Sequence, residues 1–365
     1  MKDERLSSVQ IMTLMFGAIL GVDILIVQQK IVSTAMQDAW ISLLIAGLLA
    51  VASCLIFYYL ATLYPDMDLP EITLHLGGKF LGRLFLSPIL IYHILYTGLS
   101  ARIFAQALLM FLLDRTPIYA IVLLMILVVL YAVNKGIYAI GGINDVMFPL
   151  CEVTIILLIF MSLQQADASY LKPVLFENTG NVLRGIFPGY TALTGFSIIT
   201  YVYRYTQKSK DSLKWTVIGA GIPILEYIAL TVVTIMVFSA QGVMSLLYPT
   251  LTLSKSIEFP GTFLERLESF IAILWIGIVF LSLVLFSFAS VRNFSAFLGL
   301  KQKHYRYVVL GHFPLLLLIA LLPESGVKVL DYFDKIKYLQ VTISGILVPL
   351  LTVYAHFKKR KEAGG

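Results

Sequence analysis

The chain has 365 residues, of which 59% are hydrophobic and 13% charged, with a formal net charge of +6 and a mean hydropathy of +0.89. A soluble globular domain carries roughly 25% charged residues, so the composition excludes one and describes an integral membrane protein. The positive balance does not point to nucleic acid, because the basic residues lie between apolar runs rather than in one block.

A helix needs about 20 apolar residues to cross a bilayer. On that basis ten spans are predicted, at about 9–31, 41–63, 84–113, 117–134, 145–164, 185–204, 214–239, 268–290, 305–322 and 337–357. The N-terminus, MKDERLSS, shows no cleavable signal pattern, so the first span is expected to stay in the mature protein. With the N-terminus inside, 17 Lys and Arg fall in inside segments and 9 outside, with Arg102 within a span. Excess Lys and Arg mark the cytoplasmic side, so both termini are expected there. Cys54 and Cys151 both sit in apolar runs and read as packing residues rather than a disulfide or metal pair.

The first span cannot be one unbroken helix. It reads VQIMTLMFGAILGVDILIVQQKI, with Gly17, Gly21 and Asp23 at its middle. A carboxylate facing lipid costs about 2.5–3.5 kcal/mol even on insertion scales, so it is expected to face a protein interior or cavity. Glycine eases a break in the helix, and a broken helix at membrane depth is tolerated only where protein or a cavity surrounds it. The sixth span, IFPGYTALTGFSIITYVYR, is the natural counterpart, with Pro188, Gly189 and Gly195. Glycine-interrupted spans at matching places in two halves point to an inverted-repeat transporter fold. The halves are expected at 8–165 and 166–357, followed by a basic cytoplasmic tail at 358–365.

Four charged residues lie well inside the spans: Asp23, Arg102, Glu152 and Glu226. Asp23 suits a ligand amine, a coupling cation or a proton. It also suits capping of the second half-helix, and the two roles are compatible. Arg102, always charged, reads as an internal clamp that needs a carboxylate, helix carbonyls or water, with Glu152 and Glu226 as candidate partners or proton carriers. Half-helix ends offer N–H groups to a carboxylate and carbonyls to a cation. Gly21, Val22 and Asp23 would supply these from span one, and Thr194, Gly195, Phe196 and Ser197 from span six. Tyr96 and Ser282 are candidate walls, although a membrane Ser or Thr commonly bonds its own helix. Neither His93 nor His312 has a second metal-ligand residue at useful spacing. No nucleotide or hydrolase motif occurs, so no cofactor and no enzyme are expected.

Tyr248-Pro249-Thr250, then Phe263-Leu264-Glu265-Arg266, Glu268 and Trp275, resemble the loop and eighth span of the spore germination permease family. Ala101-Arg102 with Phe111 through Pro117, Leu171-Lys172-Pro173-Val174-Leu175, and the tail from Leu322-Pro323 through Tyr332 to the closing Lys-Arg cluster resemble it too. The resemblance covers essentially the whole chain. It implies membership of the amino acid–polyamine–organocation transporter superfamily, with a LeuT-type 5+5 inverted repeat and broken helices one and six. It further implies a B subunit of a GerA-type germinant receptor in the endospore inner membrane, beside an A subunit and a lipoprotein C subunit. Such a subunit binds a small nutrient, often an amino acid, near mid-membrane and triggers germination through its partners. The alternative is a secondary active transporter of amino acids or related organic cations; a structural scaffold is a third reading. The family carries Gly-x-Gly at the first break and often an acidic residue two positions after the sixth-span glycine. This chain has Gly21-Val22-Asp23 and Ser197 there, so the place of a ligand amine is expected to differ. Glu265 and Arg266 read as a solvated cap of the outer mouth or as a contact to a partner subunit.

Overall fold

A computed structural model describes residues 5–175, 179–257 and 267–364. The backbone is helical almost throughout, as it must be where lipid offers no partner for a free N–H or C=O. In chain order the helices are α1 (Ser8–Ile19), α2 (Asp23–Ala35), α3 (Ala39–Leu63), α4 (Leu69–Phe111), α5 (Ile118–Lys135), α6 (Ile137–Ser162) and α7 (Thr179–Ala192). After a 3-10 segment at Thr194–Ile198 come α8 (Ile199–Val202), α9 (Ser212–Ser245), α10 (Pro249–Ser256), α11 (Leu267–Leu298), α12 (Tyr305–Leu321), α13 (Gly326–Thr342) and α14 (Val348–Gly364).

Among the described residues, nine helices are long and apolar enough to cross a membrane, against the ten spans read from hydropathy. The difference lies at the first span. Its 12-residue first half, α1, is only about 18 Å long, while its second half runs on through a one-turn 3-10 segment toward α3. The last span also starts earlier than expected: helix begins at Gly326 rather than at Lys337. A π-helical turn at Ile343–Leu347 joins α13 to α14.

The core is built on α1 and α2, in which every residue from Ile11 to Gln28 is buried. Helices α9 and α11 pack on α1, α7 and α9 on α2, and α4 lies along α11. Large apolar side chains left exposed, such as Leu48, Leu124, Phe160 and Leu350, face outward, as a lipid-facing surface requires.

One end of the bundle is tied by polar contacts. Asp68 and Glu71 form a capping box at the start of α4, and the same carboxylates hold two arginines from other elements. Arg292 of α11 donates to Asp68 at 2.5 Å and to Glu71 at 2.9 Å, and Arg204, just after α8, donates to Glu71 at 2.5 Å. Nearby, Leu6 forms an isolated parallel bridge with Thr206. Further out, Lys208 meets the exposed Asp66 at 2.5 Å, and this hydrogen bond holds the Asp66 carboxyl below its usual range.

Candidate functional site

The first break follows from local chemistry. A capping box between Ser7 and Gln10 starts α1, and the helix ends at Leu20, whose ψ of 95° is extended. Gly21 and Val22 turn the chain, and α2 restarts with Asp23 in its first turn, where the helix dipole favours a carboxylate. The freed carbonyl of Ile19 accepts from the Tyr227 hydroxyl at 3.4 Å. Only a glycine fits easily at position 21, because a Cβ there would lie 3.0 Å from Ser282 Oγ and 3.1 Å from Tyr96 Oη.

The second break lies against the first. After Ala192 the α-helix gives way to the 3-10 segment Thr194–Ile198. A Cβ built on Gly195 would come within 2.2 Å of the Ala18 carbonyl oxygen, so the two interrupted backbones touch there. Thr194 donates to the Thr191 carbonyl at 3.0 Å. The ring of Phe196 turns toward α3, edge-on to Phe57 at 5.4 Å.

Asp23 is 2% exposed and fully partnered. Its Oδ2 accepts from the Tyr96 hydroxyl at 3.2 Å, and its Oδ1 accepts from Lys337 Nζ at 2.8 Å. Lys337 is as deeply buried as its partner and its ammonium lies 5.0 Å from the centre of the Phe333 ring. Tyr96 rests on Phe286 at 4.2 Å and beside Phe333 at 5.4 Å. These aromatic faces exclude water and strengthen the ion pair they surround.

Next to the pair, Tyr92, Thr194, Ser197 and Gln340 line a cavity of about 20 Å³, room for about one water molecule. Gln340 donates to the Thr191 carbonyl at 3.3 Å, tying α13 to the second break. The site is therefore contracted, and nothing much larger than a water molecule fits unless α13 or the broken helices move apart.

Tyr96, Gly21, Asp23 and Ser282 are thus brought together, with Thr194, Gly195 and Ser197 at the adjoining break. Ser282 donates to its own helix at the Val279 carbonyl, 3.0 Å away, and Val22 is fully buried as backbone of the turn. Phe196 packs away from the charge. Arg102 makes no ion pair among the described residues: its Nε has no hydrogen-bond partner, and neither have Glu152 Oε1 and the two carboxylate oxygens of Glu226. Glu265 and Arg266 lie outside the described residues.

Hydropathy reading missed Lys337 because it drew the last span from that residue onward and counted the lysine as a loop charge. The available signal was helical spacing in LDYFDKIKYLQ, which puts Phe333, Lys337 and Gln340 on one face. Also missed were the outer pair Lys30–Asp334 and the four-residue cluster around Asp68.

Two solved structures share the architecture. One is Mhp1, a nucleobase-cation-symport-1 family transporter in a closed conformation with bromovinylhydantoin bound (TM-score 0.69, 11% identity, covering 94% of this chain and 78% of that one). The other is a Na+-coupled sialic acid symporter (TM-score 0.67, 15% identity, 96% and 79%). At such identities the likeness shows the fold alone, the LeuT-type fold of a multi-pass membrane protein. The family described as "Spore germination protein" matches residues 5–329, and the chain belongs to that family. Similar relatives from Bacillus subtilis (strain 168) are spore germination protein YndE, 29% identical over 332 residues with 90% of each chain covered, and spore germination protein A2, 27% identical over 368 residues with 98% and 97% covered.

Proposed function

We propose that this chain is the ligand-binding, permease-like subunit of a nutrient germinant receptor, and that it takes a small zwitterion of the amino acid type where the two broken helices meet. The observation that carries this reading is the buried Asp23–Lys337 pair at that place. The pair is neutral as a whole, so a ligand that enters without upsetting the charge is itself neutral overall. An amino acid meets that condition while offering an ammonium to Asp23 and a carboxylate to Lys337. It exchanges one buried ion pair for two, whereas an uncharged sugar would leave a separated pair of buried charges unanswered.

Binding then works as a switch. In the contracted state Lys337 occupies Asp23, and in the ligand-bound state the ligand stands between them with α13 displaced from α2. Moving the population from 1:99 to 99:1 requires about 5.5 kcal/mol of preference for one state. Partner subunits of the A and lipoprotein C type, in the endospore inner membrane, would read the change. In this reading both termini lie in the cytoplasm, which the excess of Lys and Arg in the inside segments supports, and the two repeats run over 8–165 and 166–357.

The test is thermal unfolding of the purified protein in detergent with a panel of amino acids and sugars. The expected result is stabilisation by at least one zwitterion, about 2.7 kcal/mol at one hundred times its Kd, that disappears in Lys337→Met. Stabilisation that survives in both Lys337→Met and Asp23→Asn would move the ligand elsewhere. Accumulation of the stabilising amino acid in vesicles that hold this chain alone would favour the secondary transporter instead.

A further inference from the structure

We propose that the chain carries a binding site for an anionic phospholipid in the groove between α5 and α12. The two helices are packed neighbours running in opposite directions, and the Tyr305 hydroxyl donates to the Val133 carbonyl at 2.9 Å, which fixes their register. Between them lies an apolar groove of about 640 Å³, walled by Leu127, Val128, Tyr131, Leu310 and Phe313. At its end, Asn134, Arg306 and Leu310 are shared with a second, more polar hollow of about 600 Å³ that adds Gln302 and Lys303. The two hollows form one continuous channel with an oily stem and a basic mouth.

The chemistry of the mouth selects the occupant. Lys303 and Arg306 are exposed, and neither forms an ion pair among the described residues. No Asp or Glu occurs anywhere from residue 291 to 323, while Lys301, Lys303 and Arg306 crowd six residues of loop and helix start. Such cations between membrane helices recruit lipid phosphates. Tyr131 and Tyr307, exposed at the same level, are placed as interfacial aromatics are. The stem from Arg306 to Phe313 runs about 10 Å along α12, enough to seat the upper part of an acyl chain below a headgroup held at Arg306. A zwitterionic lipid would fill the stem but bring a cation of its own to a mouth that has no carboxylate.

Native mass spectrometry of the purified full chain in neutral detergent tests this, with phosphatidylglycerol or phosphatidylcholine added in equal amount. Wild type is expected to retain one phosphatidylglycerol in preference to phosphatidylcholine, with retention about fivefold weaker in Arg306→Ala and about 25-fold weaker in Lys303→Ala/Arg306→Ala. Leu310→Trp, which fills the stem and leaves the charges alone, is expected to lose the lipid as well. All three positions are exposed, and unchanged circular dichroism would show that the variants are folded. Equal retention of the two lipids, full retention in the double variant, or displacement by millimolar inorganic phosphate would overturn the proposal.

Discussion

Lys337 Nζ and Asp23 Oδ1 lie 2.8 Å apart although 314 positions separate them in the chain. Each is the other's charge partner in a region without solvent. Removing either one leaves a buried charge uncompensated, at a cost of about 3–5 kcal/mol. Removing both leaves none. Lys337→Met and Asp23→Asn are each expected to lower the unfolding temperature in detergent clearly, and Asp23→Asn/Lys337→Met to recover most of the loss. A double variant as unstable as the sum of the two singles would show that the pair is not coupled.

Tyr96→Phe removes one hydroxyl from Asp23 and keeps the ring against Phe286. A hydrogen bond to a charged group contributes about 1.5–3 kcal/mol, and at 3.2 Å this one should sit at the lower end. Tyr96→Leu also loses the ring contacts, about 0.5–1.5 kcal/mol more. Denaturation of the two variants side by side checks the order, and Tyr96→Leu proving the more stable would contradict it.

Gly195 is where the two broken helices touch through backbone. Ala at this position would press a methyl against the Ala18 carbonyl, which cannot rotate away as a side chain can. Gly195→Ala is expected to cost about 1–3 kcal/mol and to abolish any ligand-induced shift. Gly221→Ala is the control, since a Cβ there meets nothing within 4 Å. It should be neutral or slightly stabilising, because Ala is the better helix residue.

Arg292→Ala strips the fully buried Asp68 carboxylate of its nearest cation. It should cost about 3–5 kcal/mol and raise the rate of proteolysis in the segment after Tyr205, which Arg204 and the Leu6 bridge otherwise hold. Asp66→Asn, in the exposed pair with Lys208, should leave both measurements where they were, because water already screens that charge. Equal sensitivity of the two variants would place the stabilisation outside the Asp68 cluster.

Much of this protein is legible without a structure. Hydropathy reports the cost of moving each residue into lipid, and that cost is local, so the membrane class and most span positions are read directly. The strain of Gly21-Val22-Asp23 inside an apolar run is local too, and so is its echo at Gly195. The family resemblance carried by Tyr248 through Trp275 was equally visible. What the tertiary structure alone decided is partnership. Arg102, Glu152 and Glu226 looked like an internal clamp, yet the arginine forms an ion pair with neither carboxylate. Lys337, Arg204 and Arg292 looked like loop cations, yet Lys337 answers Asp23 and the two arginines hold Asp68 and Glu71. The reason is physical: a hydrophobic side chain is favoured wherever water is absent, but a buried charge is tolerable only beside one specific opposite group, and the packing of distant helices decides which group that is.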